Sequence, residues 1–312
     1  MDRSTPPAHR ARNGRRRCWR LLPDIKANQL PSSTLTTIKS TRLRPFIPLR
    51  PRSRCRRSSR CAQAVVDVGG DLICNNPFMC GRYRLSRRKQ IIEEHFESVS
   101  GDEDWTPRYN VAPTQPVPII RQHPKEPRRD LSLVRWGLIP SWAKDASGSA
   151  GMINARSESA AIKPAFRDAL KSRRCLIPAD GFYEWSRVGK TKQPYCFEVN
   201  EGELFAFAGL WERWKDPYGN WIKSCSILTT TPNAMTAAVH DRMPVILNPD
   251  NYDLWLDPGF TDVTAVSEML KPYDARLMRS YTVSTRINHV ANNDPECSAP
   301  VAAASPSQGQ LF

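Results

Sequence analysis

Y-C-F-E-V-N-E-G-E-L-F-A-F-A-G-L-W-E-R-W-K-D-P-Y-G-N-W-I-K-S-C-S-I-L-T-T, residues 195–230, contains three strand-like segments, Tyr195–Val199, Phe205–Trp211 and Cys225–Thr230. Each is short, rich in apolar, aromatic or β-branched residues, and bounded by Asn, Gly or Pro. No helix-length periodic segment separates them, so the chain has to turn back on itself and pair its strands antiparallel. Outward from this stretch, Val117–Arg121, Leu131–Trp136, Cys175–Pro178 and Tyr281–Val283 also read as strands. Helices are expected at Arg87–Phe96, opened by Ser86 and with Ile91, Ile92, His95 and Phe96 at amphipathic spacing, and at Pro164–Lys171, where proline suits the first turn. Shorter ones are expected at Asn233–Val239 and Tyr252–Leu256, and Pro107–Pro118 reads as a Pro-rich loop. Strands interrupted by single helices, without a regular β-α-β rhythm, predict an α+β fold with a curled, mostly antiparallel sheet.

The formal charge of +15 over 312 residues suggests a nucleic-acid binder until it is located. Residues 1–61 hold seventeen of the 46 Lys and Arg and only two of the 31 acids, Asp2 and Asp24, so the remaining 29 bases meet 29 acids. The Arg/Ser-rich segment 1–78 has no sustained apolar period and is expected to be a disordered basic extension. A start codon assigned too far upstream is the favoured origin, beside an organellar transit peptide or a nucleic-acid arm. A catalytic domain is expected over 79–296 and a disordered Ala/Ser/Pro tail over 297–312. Nine cysteines with no C-x-x-C pair, and no apolar run long enough for a bilayer, point to a reducing compartment and no membrane. No Cys/His cluster has ligand spacing, so neither a metal nor a cofactor is expected. A cytoplasmic, DNA-associated monomer is the expected form, with organellar or nuclear targeting by residues 1–60 left open.

Four places gather reactive side chains beside sharp turns: Cys80-Gly-Arg-Tyr83, Asn154-Ala-Arg-Ser-Glu158, Pro178-Ala-Asp-Gly-Phe-Tyr-Glu-Trp185 and His240-Asp-Arg-Met-Pro244. Singly, each has an ordinary explanation: Asn154 capping a turn, Glu184 pairing with an arginine, His240 packed or solvated, Cys80 filling a core. Together with N-V-A-P-T-Q (110–115) and W-G-L-I-P-S-W (136–142), they occur in an order that resembles the SOS-response-associated peptidase (SRAP) family, over about Met79 to Val290. The resemblance implies a single domain with a barrel-like core and flanking helices. It implies action on abasic sites in single-stranded DNA through a cysteine made N-terminal by removal of what precedes it, which here is Cys80 after Met79. It further implies catalytic roles for Asn154, Glu184 and His240, and DNA contacts for Arg82, Arg156 and Arg242.

The chemistry also stands on its own. A ring-opened abasic sugar exposes an aldehyde, and an α-amine with a pKa near ~8 keeps a useful neutral fraction at neutral pH, unlike a lysine at ~10.4. An N-terminal Cys80 carries amine and thiol on adjacent carbons, so imine formation can be followed by closure of a thiazolidine ring. An internal Cys80 has an amide nitrogen and no such reaction. Glu184 suits acid–base work on the sugar oxygens, His240 a proton relay, and Asn154 holding the amine or aldehyde. Arg82 and Arg156 suit phosphates, and Trp142, Trp136 and Phe182 are candidates to stack exposed bases. The alternatives are a cysteine peptidase built on Cys80 and His240, which works with an internal cysteine, and a non-catalytic reader of modified DNA, which needs neither Cys80 nor Glu184.

Overall fold

The computed structural model describes residues 81–101, 106–188 and 191–301. The expected basic extension and the Met79–Cys80 junction lie outside the described residues. The elements are β1 (Arg82–Leu85), α1 (Lys89–His95), β2 (Ser98–Ser100), β3 (Arg108–Val111), β4 (Pro116–Gln122), β5 (Arg129–Trp136), β6 (Asn154–Arg156), α2 (Ser157–Ala160) and α3 (Arg167–Ser172). They continue as β7 (Arg174–Ala179), β8 (Gly181–Val188), β9 (Thr191–Val199), β10 (Phe205–Lys215), β11 (Trp221–Thr230), β12 (Met243–Pro244), α4 (Tyr252–Leu256), α5 (Val263–Glu268) and β13 (Met278–Thr282).

The predicted α+β class is the one observed, with a barrel at its centre. β10 lies between β11 and β7, and β7 pairs with β4, which pairs with β5, all antiparallel. β5 then returns to β11 through the parallel pairs Ser224↔Arg135 and Cys225↔Trp136, closing five strands on themselves. Closure leaves these strands no open edge along the paired segments. Inside it the space is tight: Gly209 pairs with Cys175 on one side and Ile227 on the other, and a Cβ there would come within 2.8 Å of Cys175 Sγ and the Ile177 side chain.

The second sheet runs β13-β9-β8-β1-β3, antiparallel throughout. Its inner face meets the barrel through aromatic side chains: Tyr83 packs edge-on against Trp136 and Phe207, and Phe182 against Phe207. The other side of β1 carries a buried ionic cluster. Arg84 donates to Asp180 Oδ1 and Glu198 Oε1, each at 2.7 Å, while Asp180 Oδ2 also accepts from the Ser86 hydroxyl and backbone N–H. Burial works to raise the Glu198 carboxyl's pKa, but Tyr281, Arg84 and Arg279 bonded to it hold it below the usual carboxylate range. These buried pairs lock β1 to β8 and β9, because leaving any of the charges unpaired there is costly.

Several local expectations shift. β3 occupies part of the stretch read as loop, and β8 runs straight through the G-F-Y-E-W motif. Asn233–Val239 holds only a 3-10 turn at Thr236–Ala238, because the Asn233 side chain accepts from the Met235 and Thr236 N–H groups and competes with helix formation. The expected disorder from residue 297 does not hold for 297–301: Cys297 is fully buried against Tyr183, Cys196, Val283 and Ile287, and Pro300 pairs with Val283. Of the described cysteines, 175, 196, 225 and 297 are all buried and unbridged, and burial pushes the Cys196 thiol up to about 12. Among the described residues no helix is long and apolar enough to cross a membrane, and no group of three or more His, Cys, Asp or Glu could hold a metal ion.

Gly137 ends β5 and sets the course of the loop toward β6. Its φ is +127°, and a Cβ would meet the Ser149 carbonyl oxygen at 2.7 Å. Its N–H donates to Cys225 O, and that of Leu138 to Met152 O, two residues before Asn154. Gly137→Ala should therefore lose about 1–3 kcal/mol of stability, read as a lower urea midpoint, and an unchanged midpoint contradicts this account.

Candidate active site

β11 organises one half of the site. Along one edge β6 pairs parallel with it, setting Asn154 beside Ile227 and Arg156 beside Thr229. At the same end β12 pairs antiparallel, Thr229 with Pro244 and Thr230 with Met243. The segments 154–158 and 240–244, far apart in sequence, thus converge on the last two residues of β11. Arg242 ties them together: its guanidinium donates to Glu158 Oε1 and Oε2 at 2.6 and 2.9 Å and to Thr229 O at 2.8 Å. Burial works to raise the Glu158 pKa, but the bonds from Arg242 prevail and hold the carboxyl below its ordinary value. His240 is half-buried; its Nδ1 accepts the Arg242 N–H at 3.1 Å and lies 2.9 Å from Asp241 Oδ1. Both contacts fall on Nδ1, which makes Nε2 the nitrogen available for proton transfer. Arg156 projects from the end of β6 and is exposed.

The other half belongs to the second sheet. Glu184 sits on β8, only 3% exposed, opposite Tyr195 of β9 and on the same face as Phe182. β1 pairs with β8 as Arg82↔Tyr183 and Tyr83↔Phe182, and that register carried one residue further sets Gly81 opposite Glu184. The chain therefore enters β1 beside the buried carboxyl. Cys80, joined to Gly81 by a peptide bond, lies outside the described residues, as does Met79.

An aromatic bridge joins the halves. Tyr83 packs edge-on against Trp136 with ring centroids 5.4 Å apart, and Trp136 Nε1 donates to the Ile153 carbonyl at 3.0 Å, next to Asn154. Trp136 and Phe182, offered above as base-stacking groups, are fully buried and pack the core instead. Trp142 is 65% exposed, but it stands at the hairpin end of the barrel, where Ala143 O accepts from Trp214 Nε1 at 2.7 Å. Trp214 pairs with Ile222 near the start of β11, away from Arg156 and Arg242 at its end.

Two arginines read as DNA contacts have structural partners here. Arg242 is committed to Glu158 and Thr229 as described. Arg82 is 9% exposed, and donates to Asn110 Oδ1 at 2.8 Å, to Ile287 O at 2.7 Å and to Asn288 O at 3.3 Å. Asn110 in turn donates to the carbonyls of Ile287, His289 and Asn292, and Trp185 Nε1 to Asn288 Oδ1. Arg82, Asn110 and Trp185 thus brace the 287–293 loop directly beside Glu184. Asn110 was visible as part of N-V-A-P-T-Q, but a buried amide bonded to three loop carbonyls and to Arg82 has no local sequence signal. A cavity of about 420 Å³ between Tyr83, Leu85, Arg108 and Leu133 is not lined by Asn154, Glu184 or His240.

Comparison with known proteins agrees with this architecture. A crystal structure of a protein from Bacteroides thetaiotaomicron matches with a TM-score of 0.64 and 26% identity, over 72% of this chain and all of that one. Another, from Bordetella bronchiseptica, matches with a TM-score of 0.57 and 28% identity, over 66% of this chain and all of that one. The SOS response associated peptidase (SRAP) model matches residues 79–290, and the chain belongs to that family. Relatives include the abasic site processing protein YoqW of Bacillus subtilis, 46% identical over 70% of this chain and 98% of its own length. The abasic site processing protein HMCES of Xenopus tropicalis is 31% identical, over 64% of this chain and 68% of its own.

Proposed function

We propose that this protein processes abasic sites in single-stranded DNA by bonding covalently to the ring-opened sugar through Cys80, once Cys80 is N-terminal. The observation that carries the reading is the entry of β1 beside Glu184, one residue after Cys80, in a family whose relatives are named for abasic-site processing. The neutral α-amine adds to the aldehyde carbon to give a carbinolamine, which loses water to form an imine. The Cys80 thiol then adds across the C=N bond; sulfur bonds to carbon, nitrogen takes the proton, and a thiazolidine results. In this reading Glu184 shuttles protons to and from the sugar and carbinolamine oxygens, aided by its burial, and Asn154 orients the amine or aldehyde. His240 relays protons through Nε2, and exposed Arg156 contacts a flanking phosphate. Arg242 acts indirectly, by fixing the loop that carries His240. The peptidase activity in the family's description corresponds to release of the residues before Cys80.

Substrate form tests this reading. A duplex stacks the abasic sugar between neighbours, and exposing it costs a few kcal/mol. Single-stranded abasic DNA should give at least about tenfold more adduct than the matched duplex, since ~1.4 kcal/mol already gives that factor. Prior reduction of the aldehyde to an alcohol should eliminate the adduct. A denaturing gel reads all three substrates; equal yields on strand and duplex, or a stable adduct with the reduced site, reject the proposal.

A further inference from the structure

Beyond the end of the barrel, the face of the β10–β11 hairpin that continues from Gly209 and Ile227 carries cations and indoles that the reaction above does not use. Arg213, Lys215, Trp221 and Lys223 are all exposed, and the pairs Lys215↔Trp221 and Arg213↔Lys223 put them on one face. The Arg213 guanidinium lies 5.0 Å and the Lys215 ammonium 5.8 Å from the Trp221 ring centroid, yet the residue remains 59% exposed. Further along the same alternation, Arg121 stacks at 4.7 Å over Trp211.

The acids of the hairpin do not neutralise this row. Glu212 faces the opposite way and pairs with Arg173 at 2.8 Å. Asp216 closes the turn, accepting from the backbone N–H groups of Tyr218 and Asn220. One cation against Trp221 suffices to stabilise the strand pair. Three exposed cations without a carboxylate partner among the described residues instead repel one another until an anion arrives. An anion that also presents flat rings fits both features at once.

We propose that this face binds the single strand flanking the abasic site, with Trp221 stacking a base and Arg213, Lys215 and Lys223 contacting phosphates. The proposal rests on the DNA-directed reading above. β11 itself connects the two places: Thr229 adjoins Arg156, and Trp221 lies eight residues away, about 26 Å at ~3.3 Å per residue. An extended strand covers that distance in several nucleotides, so the hairpin would be reached only by long substrates.

The test compares a short abasic oligonucleotide, ending a nucleotide or two from the site, with a long one of flanking single strand. In the unaltered protein the long strand should bind at least about tenfold more tightly. Trp221→Ala should remove most of that advantage. Arg213→Gln/Lys215→Gln/Lys223→Gln, which leaves the indole and changes only exposed groups, should lower the slope of log affinity against log salt by about 2 for the long strand. Variants that keep the full length advantage and salt slope overturn the proposal. If no oligonucleotide yields an adduct, the covalent reading fails, whereas loss of binding to long unmodified strand in the same variants still supports the hairpin's role.

Discussion

Cys80→Ala should abolish the heat-stable adduct with abasic single-stranded DNA. The alanine variant, once its α-amine is free, keeps the nucleophile for the first step but has no sulfur to close the ring. Its imine is reversible, so heating returns free DNA, while borohydride treatment before heating should still trap a linkage. The contrast between trapped and untrapped samples separates amine attack from ring closure on one gel. Cys80→Ser should fall between, because a hydroxyl closes a weaker and more readily reversed ring. A heat-stable adduct at unaltered yield with Cys80→Ala is incompatible with the mechanism. Intact mass gives the companion measurement: active protein should begin at Cys80, and a retained leader on a crosslinking protein would contradict the need for a free amine.

Glu184→Gln should slow adduct formation by about 10²-fold or more while leaving the final yield on long incubation close to normal. General acid–base groups contribute on the order of 10²–10⁴ in rate. The amide keeps the size and hydrogen-bonding reach of the carboxyl on β8, so the loss reports proton transfer rather than a cavity. Because Glu184 is 3% exposed, bulk water is a poor substitute at this position. A time course on denaturing gels at neutral pH measures the rate; a rate equal to that of the unaltered protein removes Glu184 from the acid–base role.

The strands of residues 195–230 were legible because each carries its own signal: aromatic and β-branched residues at strand length, between turn formers. β9, β10 and β11 occupy those places, each extending further than the expected segment. Tyr252–Leu256 was legible as a helix for the same local reason. β8 was harder to see. Its Glu184 sits buried where alternation calls for an apolar side chain, and its neighbour Trp185 binds a loop a hundred residues away. β3 hid in a Pro-rich stretch because its pairing with β1, rather than its own composition, makes it a strand.

What the amino-acid sequence determined by itself is the set of chemical types at ordered motifs, the local strand and helix propensities, and the charge break ahead of Met79. Those follow from residue identity and short-range spacing. The tertiary structure alone decided the closure of the barrel through Ser224↔Arg135 and Cys225↔Trp136, since a parallel pairing ninety residues apart leaves no local trace. It also decided the fate of like residues. Arg156 is exposed at the end of β6, while Arg82 and Arg242 are buried against Asn110 and Glu158; Trp136 fills the core, while Trp142 and Trp221 meet solvent. A guanidinium or an indole is chemically the same in each place. Whether it braces a loop or meets a ligand depends on which partners the folded chain brings within hydrogen-bonding distance, and that is a property of long-range contacts.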